Sequence, residues 1–246
     1  MMKLTWESRL AIVLVSISIC IYSTKFFLLK NPSDTVNYVF NSLGFLPINV
    51  LLVTLVLNKL LAIRSRRERM EKMNMVIGTF FSEVGNPLIR KIAAGDPGIG
   101  RLQESLIVGN DWDAAAFAKV RKQIAGHDYQ IDPSAIEMVP LHEFLSSQRD
   151  FLLRLLENPV LLEHESFTDL LRAVFHLTEE LKRREDLSCL PKSDCAHLAG
   201  DVRRVYEKLV IQWFDYMEYL KNNYPYLSSL EMRTNPFDAR ASPIVQ

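Results

Sequence analysis

Three short stretches hold the residue types that bind metals or move protons. "FHLTEEL" carries His176 with Glu179 and Glu180, "LEHESF" carries His164 between Glu163 and Glu165, and "CLPKSDCAH" carries Cys189, Cys195 and His197. Imidazole, thiolate and carboxylate are the usual ligands of zinc and its neighbours. A histidine such as His176 can also accept a phosphoryl group, but no later segment resembles a nucleotide-binding kinase domain. A metal site in a helical bundle takes Glu and Glu-x-x-His from facing helices, all directed inward. Here the order is His176-x-x-Glu179. At about 100° per residue, His176 falls about 180° from Phe167, on a face shared with Asp169, Arg172, Glu180 and Arg183. Such a face is expected to be solvated.

The other two stretches give less. Glu163, His164 and Glu165 are consecutive and do not converge on one ion, so they read as a polar turn whose negative charge suits a helix N-terminus. The Cys-x5-Cys spacing of Cys189 and Cys195 is wider than a zinc knuckle, and no fourth ligand accompanies His197. "GDPGIG" from Gly95 to Gly100 lacks the Lys-Ser/Thr pair and the preceding strand of a phosphate loop. Neither a Gly-x-Ser-x-Gly elbow nor a His-Glu-x-x-His pair occurs. The sequence therefore predicts no catalytic residue, no cofactor site, no metal site and no enzymatic activity. An enzyme with an unrecognised helical active site is kept as an alternative.

The elements that would position these residues fall into two compositional regions. The chain has 246 residues, with 29 basic and 29 acidic side chains. "LAIVLVSISICIYSTKFFLL", Leu10 to Leu29, has one charge, Lys25; "TVNYVFNSLGFLPINVLLVTLVLN", Thr35 to Asn58, has none. A helix needs about 20 mostly apolar residues to cross a bilayer. The two runs predict spans over about 10–29 and 36–63, joined by "KNPSD" as an antiparallel hairpin. A cleaved signal peptide is the competing reading of the first run. No small-x-small site follows it, and Ile19 before Cys20 is too bulky for a lipoprotein signal.

Arg64, Arg66, Arg67, Arg69 and Lys72 follow the second run directly. Basic residues beside a span remain in the cytoplasm, and Lys3 and Arg9 mark the other end. The expectation is a multi-pass protein of the cell inner membrane with both termini cytoplasmic. The basic cluster then faces lipid headgroups, where each charge gains about 1 kcal/mol. Glu68 and Glu71 interrupt the cluster, which argues against nucleic acid as a partner. In a reducing cytoplasm Cys189 and Cys195 are expected as free thiols.

Met70, Met73, Ile77, Phe80 and Val84 repeat at 3, 4, 3, 4, the seam of packed helices. This seam can join another copy as a coiled coil, or pack on later helices of its own chain, which is the favoured reading. Gly85 with Asn86-Pro87 is the expected end of this helix. Asp111 is the expected N-cap of a helix holding Trp112 and Phe117 and ending at Gly126. One helix is expected from Met138 to Asn158, through Leu141, Leu145, Leu152, Leu155 and Leu156. Another opens with Ser166 and Asp169 as a capping box and buries Phe167, Leu170, Leu171, Val174 and Leu181. The last begins near Ser193 and aligns Leu198, Val202, Val205, Leu209, Trp213, Tyr216 and Leu220.

The fold class is thus all-α: a two-helix transmembrane hairpin followed by a cytoplasmic, bundle-like helical domain. Its parts are a membrane hairpin (1–63), a basic juxtamembrane segment and stalk (64–94), a helical domain (95–234) and a loose tail (235–246). Asn37, Asn41 and Gly44 form a polar, small stripe suited to packing between spans, or to lining an oligomeric pore. Phe214 and Tyr219 lie off the centre of the apolar face and are candidates for a partner surface. The expected function is binding or scaffolding at the membrane, with a protein partner or a second copy. The alternative is a subunit of a membrane pore or transporter.

Overall fold

The structure, a computed structural model, describes residues 6–29, 32–162 and 164–244. Lys3, Lys30, Asn31 and Glu163 lie outside the described residues. Among the described residues all regular structure is helical and strands are absent. The chain divides into two compact units, Met1–Arg67 and Glu68–Gln246.

The first unit contains α1 (Trp6–Leu29) and most of α2 (Pro32–Phe80). Pro32 sits where a missing N–H costs nothing, and α2 continues through Pro47. Lys25 lies 4.5 Å from the centroid of the Tyr38 ring, a cation–π contact that gives the single charge of the first run a partner. Among the described residues one helix is long and apolar enough to cross a membrane, and its most apolar stretch is wholly exposed. The expected pair of spans is therefore met in part: α1 is a 24-residue helix over the first run, and α2 carries the one candidate span found among the described residues.

In the second unit, Met73, Ile77, Phe80 and Val84 are buried, while Met70 stays exposed. These residues pack on their own chain: the Phe80 ring meets Phe167 edge-on at 5.2 Å. Gly85 does not end the helix. The chain passes through a π-helical turn, Phe81–Gly85, and continues as α3 (Asn86–Ala93). Pro87 falls in the first turn of α3, where the wider π turn absorbs its missing donor.

Short pieces follow: α4 (Ile99–Gln103) and a 3₁₀ turn, Glu104–Leu106. In α5 (Ala114–Ala125) the N-cap is Asp113, not Asp111: the Asp113 carboxylate accepts from Ala116 N–H at 2.8 Å. Gly126 ends α5 as expected. The helix expected from Met138 is two, α6 (Met138–Ser147) and α7 (Arg149–Leu156), broken at Gln148, with α8 (Pro159–Leu162) after them.

The centre of the unit is the pair α9 (Glu165–Lys182) and α10 (Lys192–Asn223), followed by α11 (Pro225–Arg233). Every apolar residue expected on their inner faces is buried. The cap of α9 is His164, whose Nδ1 accepts from Phe167 N–H at 3.2 Å; Ser166 is not the cap and instead accepts from Gln212 at 2.9 Å. The start of the tail is docked rather than loose. Asn235 donates to Leu106 C=O at 2.9 Å, and the buried Phe237 ring meets Trp213 edge-on at 5.0 Å.

Candidate functional site

The short connection between α9 and α10 makes them antiparallel neighbours. Each carries a histidine followed four residues later by an acid, His176/Glu180 on α9 and His197/Asp201 on α10. Residues four apart share a helix face, so the register sets His176 level with Asp201 and Glu180 level with His197. His176 Nε2 and His197 Nε2 each lie 3.5 Å from Asp201 Oδ2. His197 Nε2 is 3.6 Å from Glu180 Oε2, and His176 Nε2 is 4.0 Å from Glu180 Oε1.

The carboxylates differ in burial. Asp201 is 3% exposed, whereas the two imidazoles are about half exposed. Asp201 Oδ1 accepts from Arg204 at 2.8 Å. Asp201 Oδ2 is buried and has no hydrogen-bond donor; the two imidazole nitrogens stand 3.5 Å from it. Glu180 accepts from Arg184 at 2.9 Å, and Arg184 also holds Asp194 through two bonds of 2.7 and 2.6 Å. The Arg184 hydrogen bond holds the Glu180 carboxyl below its ordinary range, and likewise that of Asp194.

This arrangement corrects the sequence reading of His176. Its face is not merely solvated, since it borders the buried Asp201. Glu179 turns away from His176 to Arg149, at 2.8 Å. His197 is grouped with acids rather than with Cys189 and Cys195, both of which are free thiols. Asp201 was missed because an aspartate deep in an apolar seam carries no motif. The legible signal was the repeated His-x-x-x-acid spacing.

A second pair was also missed. Asp96, in "GDPGIG", is buried; its Oδ2 lies 2.8 Å from His127 Nε2 while its Oδ1 accepts from Gly98 N–H at 2.8 Å. The pair pins this loop to the end of α5, and the Tyr129 ring lies edge-on to His127 at 4.6 Å.

The remaining expected residues are dispersed. Arg64, Arg66, Arg67, Arg69 and Lys72 are exposed along α2. Asn37 and Asn41 are exposed, and no described atom lies within 4 Å of a Cβ placed on Gly44. Phe214 is no partner surface: it is fully buried against Phe117 and Trp112, with Arg121 over its ring. Tyr219 is half-buried, 5.9 Å from the Tyr224 ring.

The two regions of the chain match two family descriptions in turn. Residues 2–61 match "MJ1433, N-terminal helical domain", and residues 69–233 match "Uncharacterized protein MJ1433, C-terminal helical domain". The chain is 46% identical over 232 residues to "Uncharacterized protein MJ1433" of Methanocaldococcus jannaschii, spanning 94% of this chain and 93% of that relative. No solved structure matches the chain. With both helical domains matched in order and nearly the full length aligned, the chain belongs to the MJ1433 family.

Proposed function

We propose that the chain is an integral membrane protein that crosses the bilayer through α1 and the first part of α2, with both termini on the cytoplasmic side. Residues 69–233 then serve as a helical binding or scaffolding domain at the inner membrane face, for a protein partner or a second copy. One observation carries the reading: in α2 twenty-four uncharged residues, Thr35 to Asn58, belong to a helix whose most apolar stretch is exposed, and Lys59, Arg64, Arg66, Arg67 and Arg69 follow them. Exposed apolar helix is costly in water and stable in lipid, and the basic residues set its orientation. No catalytic role is part of this reading.

The test is membrane extraction with thiol labelling in cells. The protein is expected to stay in the membrane at alkaline pH. Cys189 is expected to react with an impermeant maleimide only after the membrane is opened. Release at alkaline pH, or labelling of Cys189 in intact cells, overturns the proposal. Crosslinking in native membranes then tests the scaffold role, which fails if neither a specific partner nor a self-crosslink is recovered. Gly44 facing open space supports span-to-span contact between copies through Asn37 and Asn41.

A further inference from the structure

We propose that Glu180, His197 and Asp201, completed by His176, bind one divalent transition-metal ion of the zinc class. The site is independent of the membrane reading. Ligands at about 2.1 Å from a tetrahedral zinc ion lie about 3.4 Å from one another. The four contacts between the imidazole nitrogens and the carboxylate oxygens span 3.5 to 4.0 Å. The ligating atoms of Glu180, His197 and Asp201 all lie within 4.8 Å of one another. His176 stands beside this group, 3.5 Å from Asp201 Oδ2, and reaches zinc distance by rotation of its side chain.

Asp201 Oδ2 points independently to a cation. It is a buried carboxylate oxygen with no hydrogen-bond donor, a state that is costly to maintain. A metal ion at the focus of the two imidazoles satisfies it. The surrounding arginines act from outside. Arg204 occupies Asp201 Oδ1 and leaves Oδ2 facing the imidazoles. Arg184 donates to Glu180 Oε2, the oxygen that also faces His197, while Oε1 faces His176. Outer partners of this kind orient metal ligands. Arg184's charge is shared with Asp194, so the ligand set retains the negative charge that draws a cation.

Two imidazoles with two carboxylates are borderline donors. They favour zinc, cobalt or nickel over calcium and magnesium, which take oxygen ligands. The half-exposed imidazoles leave the ion open to solvent for exchange and for a water ligand.

The experiment uses the full chain in detergent, stripped with chelator and titrated with Zn²⁺ and Co²⁺. One equivalent is expected to bind at micromolar Kd or tighter and to raise the melting temperature. The Co²⁺ complex is expected to show visible ligand-field bands without a thiolate charge-transfer band. His197→Ala and Asp201→Asn are each expected to weaken binding at least tenfold, while Cys189→Ser/Cys195→Ser leaves it unchanged. His197 is half exposed, so its variant carries the test if Asp201→Asn fails to fold. Absence of saturable binding overturns the proposal. So do a thiolate band, displacement of Zn²⁺ by millimolar Ca²⁺, or unchanged affinity in a folded His197→Ala.

Discussion

Tyr216 of α10 closes over Gly78 of α2: a Cβ at Gly78 would stand 3.2 Å from Tyr216 Cζ and closer still to the hydroxyl. Tyr216 cannot swing aside freely, because its ring is stacked on Phe81 at 5.5 Å. Gly78→Ala is expected to destabilise the domain by about 1–3 kcal/mol, the usual cost of overpacking. Tyr216→Phe removes the closest atom, so the double variant Gly78→Ala/Tyr216→Phe is expected to recover part of that loss. A coupling near zero in thermal unfolding of the four proteins would contradict the contact.

His127 is the side-chain partner of a carboxylate with no access to water. Asp96 retains Gly98 N–H when the imidazole is removed, but loses the partner of its second oxygen. His127→Ala is expected to cost about 3–5 kcal/mol, the range for stranding one member of a buried pair. The double variant Asp96→Asn/His127→Ala, with no charge left to strand, is expected to lose less. Chemical denaturation of both proteins measures the difference.

The α5 cap separates two neighbouring aspartates. Asp113→Ala is expected to cost about 1 kcal/mol, since its carboxylate satisfies the Ala116 N–H. Asp111→Ala is expected to cost less than half of that. Equal effects in thermal melts would restore Asp111 as the cap.

Two glutamates give stability slopes of opposite sign with pH. The Arg149 hydrogen bond lowers the Glu179 carboxyl in the folded state. Its contribution is full above the ordinary glutamate range and is lost as pH falls through the lowered value. The stability gap between wild type and Arg149→Met is therefore expected to close on acidification. Burial raises Glu231, partly offset by the Asn86 side chain that donates to it at 3.2 Å. Its contribution is full below the ordinary range and is lost as pH rises through the raised value. Glu231→Gln keeps an acceptor for Asn86, and is expected to gain on wild type as pH rises toward neutral. Urea unfolding at a series of pH values reads both slopes.

Periodicity was enough to locate the inner faces of α9 and α10, because apolar spacing and burial are one fact seen twice. Local chemistry was less legible. Asp111 and Asp113 are equivalent as letters, and the choice between them depends on where Trp112 packs. Phe214 lies off the centre of its stripe, yet α10 is enclosed on more than one side, so an off-centre ring is still buried. Asn235 reads as tail composition, and only its bond to Leu106 C=O, 129 residues earlier, makes it core. The histidine–acid cluster needed the antiparallel register of two helices. Neither segment shows that register alone.

The π turn at Phe81–Gly85 also keeps the buried side of a long helix in phase. Phe80, Val84, Leu88 and Ile92, all fully buried, are spaced by four residues. In an unbroken α-helix each such step drifts by about 40°, which would carry Ile92 well around toward solvent. One extra residue in a wider turn takes back about 100° of that drift. The wide turn thus holds one residue more than a plain α-helix would. Loss of a single residue between 81 and 85 would remove it and leave α3 in phase, its apolar side still on α10.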